Sequence, residues 1–335
     1  MSEIPSALGL PAEQVAALLQ AAGRAPSLHN AQPWRFRLTP QAIELHADPA
    51  RRLPRADPQD RELRLGCGAA LFNLRTALLG LGVQPVVTLL PDPDRPELLA
   101  NVGHGGQHPR TPEIDRLRAA IPRRHTNRRP FTDTPLIQPE QHALCRAALD
   151  EGAWLHIVDD LVQRARLSRL AARAHDVQMA DPAFRAELAA WTGDANDRSD
   201  GVPVSAGGPL PELQDKWVLR DFTGGQGRPR VAGKDFEAEP LIAVLGAHLS
   251  GPSAEIQAGQ ALQRVLLTAT VHGLSVSFLS QLVEVPDIRQ QMQRMISATR
   301  PPQIVLRVGH GWPVAGLTPR RPVEDLVLAQ SAPSH

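Results

Sequence analysis

The sequence predicts an α+β fold, an α/β sandwich in which two degenerate tandem copies of one unit pair within a single chain as an intramolecular pseudo-dimer. Three observations predict it. Segments of the first part of the chain recur in the same order in the second, two of the recurring segments read as helices that are apolar nearly all round, and short apolar runs bounded by Gly or Pro accompany them. A helix without a polar face is a buried one.

Residues 11 to 23 form the first helix: Pro11 suits its first turn, Val15, Leu18, Leu19 and Ala22 line one face, and Gly23 can end it. A strand follows at Trp34-Arg35-Phe36-Arg37-Leu38, which alternates apolar with polar. The central helix begins at Gly66-Cys67-Gly68-Ala69-Ala70-Leu71 and reaches Gly80-Leu81-Gly82-Val83. It can be laid without gaps on Gly259-Gln260-Ala261-Leu262 through Gly273-Leu274-Ser275-Val276, an offset of 193 residues that also carries Pro93-Asp94 onto Pro286-Asp287. Each helical stretch holds one charged residue, Arg75 or Arg264. Val102-Gly103-His104-Gly105 recurs as Val308-Gly309-His310-Gly311, and Pro11-Ala12-Glu13-Gln14 is echoed by Pro139-Glu140-Gln141.

Between these landmarks the second copy carries an added segment, from about 160 to 235. Asp160 to Trp191 reads as two helices broken near Asp181-Pro182, and Gly193 to Gly233 is dense in Gly, Pro and Asp, a lid or a disordered stretch. Pro240 to His248, Leu274 to Gln281 and Gln303 to Val308 are the remaining strand candidates. The expected halves are residues 1–120 and 121–335.

Composition narrows the function classes. With 335 residues, 42% hydrophobic and 21% charged, the chain is long enough for a sizeable core and of globular make-up. A net charge of +1 provides no global field to draw it to nucleic acid or an anionic membrane, so neither partner is expected. Lysine occurs only at 216 and 234, so 34 of the 36 basic residues are arginine, the side chain suited to bidentate phosphate binding. Cys67 and Cys145 form no zinc spacing or disulfide framework, and no metal site is expected. The start, Met1-Ser2-Glu3-Ile4-Pro5, lacks a signal-peptide pattern, so a reducing cytoplasm is expected. Val265 to Val283 approaches membrane-spanning length without a charge, but His272, Gly273 and Gln281 favour a buried helix followed by a strand.

Two segments concentrate chemistry. Ala25-Pro26-Ser27-Leu28-His29-Asn30-Ala31-Gln32-Pro33-Trp34 packs hydroxyl, imidazole and carboxamide groups into a turn pinned by two prolines, able to present donors and acceptors to a flat heteroaromatic edge. Taken alone it is equally a helix-to-strand connector, in which His29 would be satisfied by local backbone. Arg123-Arg124-His125-Thr126-Asn127-Arg128-Arg129-Pro130-Phe131 could surround a phosphate, or form a solvated basic linker between the copies. His104, His310 and Cys67 read as structural.

Together these segments resemble the nitroreductase-like FMN proteins, whose homodimers build each flavin site between subunits. An Arg-x-Ser-x-Arg/Lys element of one subunit is matched here by Arg124, Thr126 and Arg128, with Phe131 after them, and a Pro-Ser-x-x-Asn-x-Gln-Pro-Trp element of its partner by Pro26, Ser27, Asn30, Gln32, Pro33 and Trp34. Neither copy has both elements, as in a dimeric ancestor fused into one chain that keeps one composite site. With Asp57-Pro58-x-x-Arg61-Glu62-Leu63 before the first central helix, the chain is similar to the Acg-like branch from about residue 11 to 327.

The resemblance implies one FMN per chain, NAD(P)H as electron donor and a small electrophilic or nitroaromatic acceptor. An alternative is an FMN storage or sequestration protein with little turnover. The flavin would carry the chemistry, with no catalytic side chain. The implied cofactor contacts are Pro26, Ser27, Leu28, Asn30, Arg124, Thr126, Asn127 and Arg128, the segment Phe278, Leu279, Ser280 and Gln281, and a C-terminal pair, Arg320 and Arg321. Thr126 replaces the usual serine, Pro130 shifts Phe131 by one so that Asn127 and Arg129 are an alternative register, and Ser280 stands where an acidic residue is common. The implied assembly is a monomeric pseudo-dimer or a weak homodimer.

Overall fold

In the computed structural model, which describes residues 4–193, 198–212, 214–227, 230, 239–312 and 316–329, helix α1 spans Ala12–Gly23 with Pro11 as its N-cap. Its stripe of Val15, Leu18, Leu19 and Ala22 is buried, as helical spacing requires. Strands β1 (Trp34–Leu38), β2 (Ala42–Ala47), β3 (Val83–Leu89) and β4 (Leu98–Gln107) form an antiparallel sheet in the order β1-β2-β4-β3. Trp34, Phe36 and Leu38 point inward and Arg35 and Arg37 outward, the two-residue period of a half-buried strand. Helix α2 (Arg61–Gly80) lies between β2 and β3 in sequence and starts five residues before the expected Gly66. Asp57 Oδ2 accepts the Leu63 N–H at 2.8 Å, filling one of the donors that a helix start leaves unpaired.

The second half repeats this plan. After α3 (Pro112–Ala120) come α4 (Gln138–Leu149), β5 (Ala153–Ile157), α5 (Leu161–Ala180), α6 (Pro182–Ala190), β6 (Leu241–Ala247), α7 (Pro252–Val271), β7 (Ser275–Phe278), α8 (Gln281–Glu284), α9 (Pro286–Met295), β8 (Ile304–Gly309) and α10 (Val323–Leu326). The second sheet is also antiparallel and has the matching order β5-β6-β8-β7. The expected strand from Leu274 to Gln281 ends at Phe278, because the chain turns at Ser280 into α8. The break at Asp181-Pro182 is as expected: Asp181 ends α5 and caps α6 through its side chain. Of the Gly/Pro-rich stretch, residues 194–197, 213, 228–229 and 231–238 lie outside the described residues.

Helices α2 and α7 cross at the centre of the molecule, each using a glycine. A Cβ on Gly68 would collide with the Ile256 carbonyl oxygen, and one on Gly259 would collide with the Leu65 carbonyl oxygen. Gly68 and Gly259, and Leu65 and Ile256, are each 191 residues apart, as are the bounds of the two helices and the left-handed glycines Gly82 and Gly273 that follow them. The structural offset is therefore 191 rather than 193, and Gly68, not Gly66, is the counterpart of Gly259. The contact is reciprocal in the cores as well: Leu65 packs into the core of the second half and Ile256 into that of the first. This is the pattern of an approximate two-fold axis.

Residues after α3 join the second sheet, where the Asn127 N–H bonds the Val276 carbonyl at 2.9 Å. One crossing ties the halves further. The C-terminal arm returns to the first sheet: the Leu328 N–H bonds the Phe36 carbonyl at 2.8 Å, and Leu326 is buried against α1. Among the described residues no helix is long and apolar enough to cross a membrane.

Candidate functional site

The turn between α1 and β1 is held in an unusual backbone. His29, Asn30 and Gln32 all have left-handed φ, 49°, 56° and 53°, without being glycine. Such a conformation persists only where surroundings over-determine it, and here they do. The Ser27 hydroxyl accepts the Gln32 N–H at 2.8 Å, Asn30 Nδ2 donates to the carbonyls of Gly201 and Pro319, and Gln32 Nε2 donates to the Ser199 carbonyl. The turn is thereby clamped to both the inserted segment and the C-terminal arm.

Against this turn lies a pocket of about 640 Å³, open mouth included. Pro26, Ser27, Leu28 and His29 form one side, Leu65 and Gly66 of α2 with Leu262 of α7 another, and Thr126, Arg128, Ser277, Phe278 and Ser280 a third. Arg220 and Phe222 close it from the inserted segment. The pocket therefore sits where the halves meet, with walls drawn from both.

Behind the turn is a cluster of cations. Arg124 Nη2 and Arg320 Nη2 both point at the Arg24 carbonyl, at 3.4 and 3.5 Å. Arg128, which lines the pocket, stacks 4.7 Å over the Phe222 ring and donates to the Ala206 carbonyl. Burial, the larger cause, and neighbouring guanidiniums together lower the pKa of Arg124 and of Arg128 to about 10 and that of Arg320 to about 9: Arg128 and Arg24 act on Arg124, Arg220 and Arg320 on Arg128, Arg124 and Arg24 on Arg320. None of the three is paired with a carboxylate among the described residues, and Nε of Arg124 and of Arg320 is buried without a partner. Buried, mutually repelling cations are costly unless an anion joins them.

Glu62 and His29 complete the polar lining, and a second carboxylate, Glu284, is paired with the lining residue Arg220. His29 is 3% exposed, and both of its ring nitrogens lack partners among the described residues, contrary to the expectation of local backbone bonding. Its ring stands edge-on to Phe222 at 6.4 Å, and burial, reinforced by Arg220, pushes its pKa down to about 3, so the ring is neutral. Glu62 lines the pocket and is pushed up to about 7, chiefly by burial. Burial works the same way on Glu284, but the Arg220 guanidinium 3.0 Å from its Oε2 holds that carboxyl below the ordinary range. Arg220 also bonds Gln178 Oε1 at 2.6 Å, which fastens the Gly/Pro-rich stretch to α5 and α8.

The structure brings together Pro26, Ser27, Leu28, Thr126, Arg128, Phe278 and Ser280 in one lining. Leu279 and Gln281 line an adjoining cavity with Trp217 and Arg307, and the Leu279 N–H is engaged by the Val305 carbonyl at 2.9 Å. Asn30, Asn127 and Arg321 act on the protein itself. Asn30 Oδ1 accepts Arg320 Nη1 at 3.0 Å, Asn127 Nδ2 donates to Ser275 Oγ and the Trp312 carbonyl, and Arg321 is held by both oxygens of Gln32. Sequence reasoning did not assign Glu62, Arg220 or Phe222 to the site. The last two lie in a stretch with no periodicity to signal burial, and Glu62 shares the first turn of a helix, where an acidic residue is ordinary.

The model of the Nitroreductase family matches residues 7–65. The Mycobacterium tuberculosis protein named "Putative NAD(P)H nitroreductase Rv3131" is 33% identical over 327 residues, covering 95% of this chain and 91% of its own. "Putative NAD(P)H nitroreductase acg" from the same organism is 31% identical over 317 residues, covering 92% and 93%. Among solved structures, an NADPH:FMN oxidoreductase from Vibrio harveyi complexed with NAD+ aligns with a TM-score of 0.40 at 11% identity, over 66% of this chain and 79% of that one. A nitroreductase with bound FMN from Desulfitobacterium hafniense aligns with the same TM-score at 11% identity, over 64% and 98%. With identity above 30% sustained over nearly the whole of both chains, the protein belongs to the nitroreductase family, in its Acg-like branch.

Proposed function

We propose that the protein is an FMN-dependent oxidoreductase that holds one FMN in the pocket between the halves and passes electrons from NAD(P)H to a small electrophilic or nitroaromatic acceptor. The observation that carries this reading is the group of buried arginines Arg124, Arg128 and Arg320, without carboxylate partners among the described residues, beside a pocket where the two halves meet. A phosphomonoester is the anion that best relieves such a cluster, since charge-assisted bonds from guanidinium to phosphate are strong and directional. The composite character of the site supports the duplication of one unit, with halves 1–120 and 121–335.

When bound, FMN supplies two-electron chemistry at its ring. The chain's own residues do the rest. Arg124, Arg128 and Arg320 hold the phosphate, and Asn30 positions Arg320. Leu65, Gly66 and Leu262 offer an apolar floor, while Phe222 excludes water. Arg128 and Arg220 put positive potential into the cavity, which favours an electron-rich ligand.

The reading is tested by titrating the protein with FMN and with riboflavin. Arg124→Ala should weaken FMN at least tenfold, the loss of one charge-assisted bond of about 1.5–3 kcal/mol, and leave riboflavin unchanged; equal loss of both ligands contradicts phosphate binding. Asn30→Ala should weaken FMN as well, although it lies in the other half. Anaerobic mixing of the loaded protein with NADH or NADPH then reads turnover: bleaching of the flavin absorbance supports the oxidoreductase, and reduction by dithionite alone supports storage.

A further inference from the structure

Resting on the reading of this pocket as a reductase site, we propose that Glu62 is its proton donor, supplied from a second cleft on the far side of its carboxyl group. Glu62 lines the main pocket and also a narrow cleft whose other walls include Asp57, Arg51 and Leu53. Only Ser27 and Leu28 are shared between the two spaces besides Glu62. Glu62 thus stands between the two spaces.

Its setting fixes one oxygen and leaves the other available. Oε1 accepts Arg61 Nη2 at 2.7 Å, and Arg61 Nη1 is itself anchored on the Gln303 carbonyl at 2.6 Å. Oε2 has no hydrogen-bond partner among the described residues. The charged groups that face Glu62 are Arg61 on α2, Asp57 before it, Glu284 on α8 and Arg289 on α9. Burial raises its proton affinity, Arg61 opposes, and the negative charges of Glu284 and Asp57 add to the rise, so that it titrates near 7. Glu284, bound to Arg220, stays ionised. Two carboxylates with environments that pull their proton affinities apart divide the labour of acid and base.

The transfer is a plain acid–base step. The O–H bond at Glu62 breaks as a new O–H bond forms on the bound acceptor, the electron pair stays on the carboxylate, and water in the Asp57 cleft returns the proton. The substrates that need this are those in which an oxygen becomes a hydroxyl on reduction, as in quinones and nitroarenes.

Infrared difference spectra of the full chain without added flavin provide the first test. A protonated carboxyl band should be present at pH 6, vanish by pH 9 and be missing from Glu62→Gln. Asp57→Asn should move the disappearance to lower pH, because a neighbouring negative charge is gone. In the second test, FMN-loaded protein reduces 1,4-benzoquinone with NADH. The rate should fall about tenfold per pH unit well above 7 in the wild type, and in Glu62→Gln should be at least tenfold lower at pH 6 and flat. A band that does not titrate in the wild type, or one retained in Glu62→Gln, overturns the proposal. So does an FMN-loaded protein that turns over with the same pH profile in both forms. Protein that takes up no FMN but shows the titrating band refutes the reductase reading while supporting the proton assignment.

Discussion

His29 and Glu62 face one pocket, and burial moves their titrations in opposite directions, which makes the molecule's pH response legible residue by residue. His29 titrates near 3 when folded against 6.5 unfolded, so the unfolded chain binds the proton first. Its contribution is complete above pH 6.5 and is lost as pH falls through 6.5 towards 3, by about 2 kcal/mol at pH 5. His29→Asn keeps a residue that tolerates the left-handed turn. It should therefore lose about 2 kcal/mol less than the wild type between pH 7 and 5 in urea unfolding. For Glu62 the sign reverses: its folded value near 7 lies above 4.5, so its contribution is complete below pH 4.5 and is lost as pH rises through 7. Relative to the wild type, Glu62→Gln should gain on the order of 3 kcal/mol between pH 4.5 and pH 9, read from the same unfolding curves. Neither shift was legible in the sequence. Both come from burial among residues more than a hundred positions away, such as Arg220 and Glu284.

At the scale of elements, α2 and α7 are the clearest features of the sequence and also the place where its reading slipped. Their near-total apolarity announced two buried helices. The motif Gly66-Cys67-Gly68, however, has two glycines two residues apart, and letter matching placed the first opposite Gly259 where packing uses the second. Gly66 has another duty: a Cβ there would press on Ser27 Cβ at 3.3 Å, so this glycine admits the functional turn. Gly68→Ala or Gly259→Ala forces the helices apart at a backbone contact and should cost about 3 kcal/mol, measured as a lower urea midpoint. The double substitution should cost less than the sum, because both act on one contact; full additivity would show that the two glycines do not share it.

For the whole molecule, the interleaving of the halves matters more than either sheet. Leu65 and Ile256 each sit in the other half's core, and the C-terminal arm closes onto β1. Unfolding one half would expose the apolar face of the other's central helix. Native-state hydrogen exchange should therefore give the slowest amides of β2 and β6 the same opening free energy. A difference of several kcal/mol would show separable domains instead.

The sequence by itself determined the α+β make-up, the two buried helices, the first helix and strand, the break at Asp181-Pro182, and two polar motifs, one a proline-pinned turn and one rich in arginine. These are local patterns, written in the spacing of apolar residues and in turn chemistry over a few neighbours. Only the tertiary structure decided the register of the central crossing and which motif residues face the pocket. It left Asn30, Asn127 and Arg321 as internal braces, and brought Glu62, Arg220 and Phe222 into the lining. The pocket is assembled from residues 26–29, 62, 65, 66, 126, 128, 220, 222, 262, 277, 278, 280 and 304. Nothing in the spacing along the chain records that meeting, because burial and charge coupling depend on distance in space.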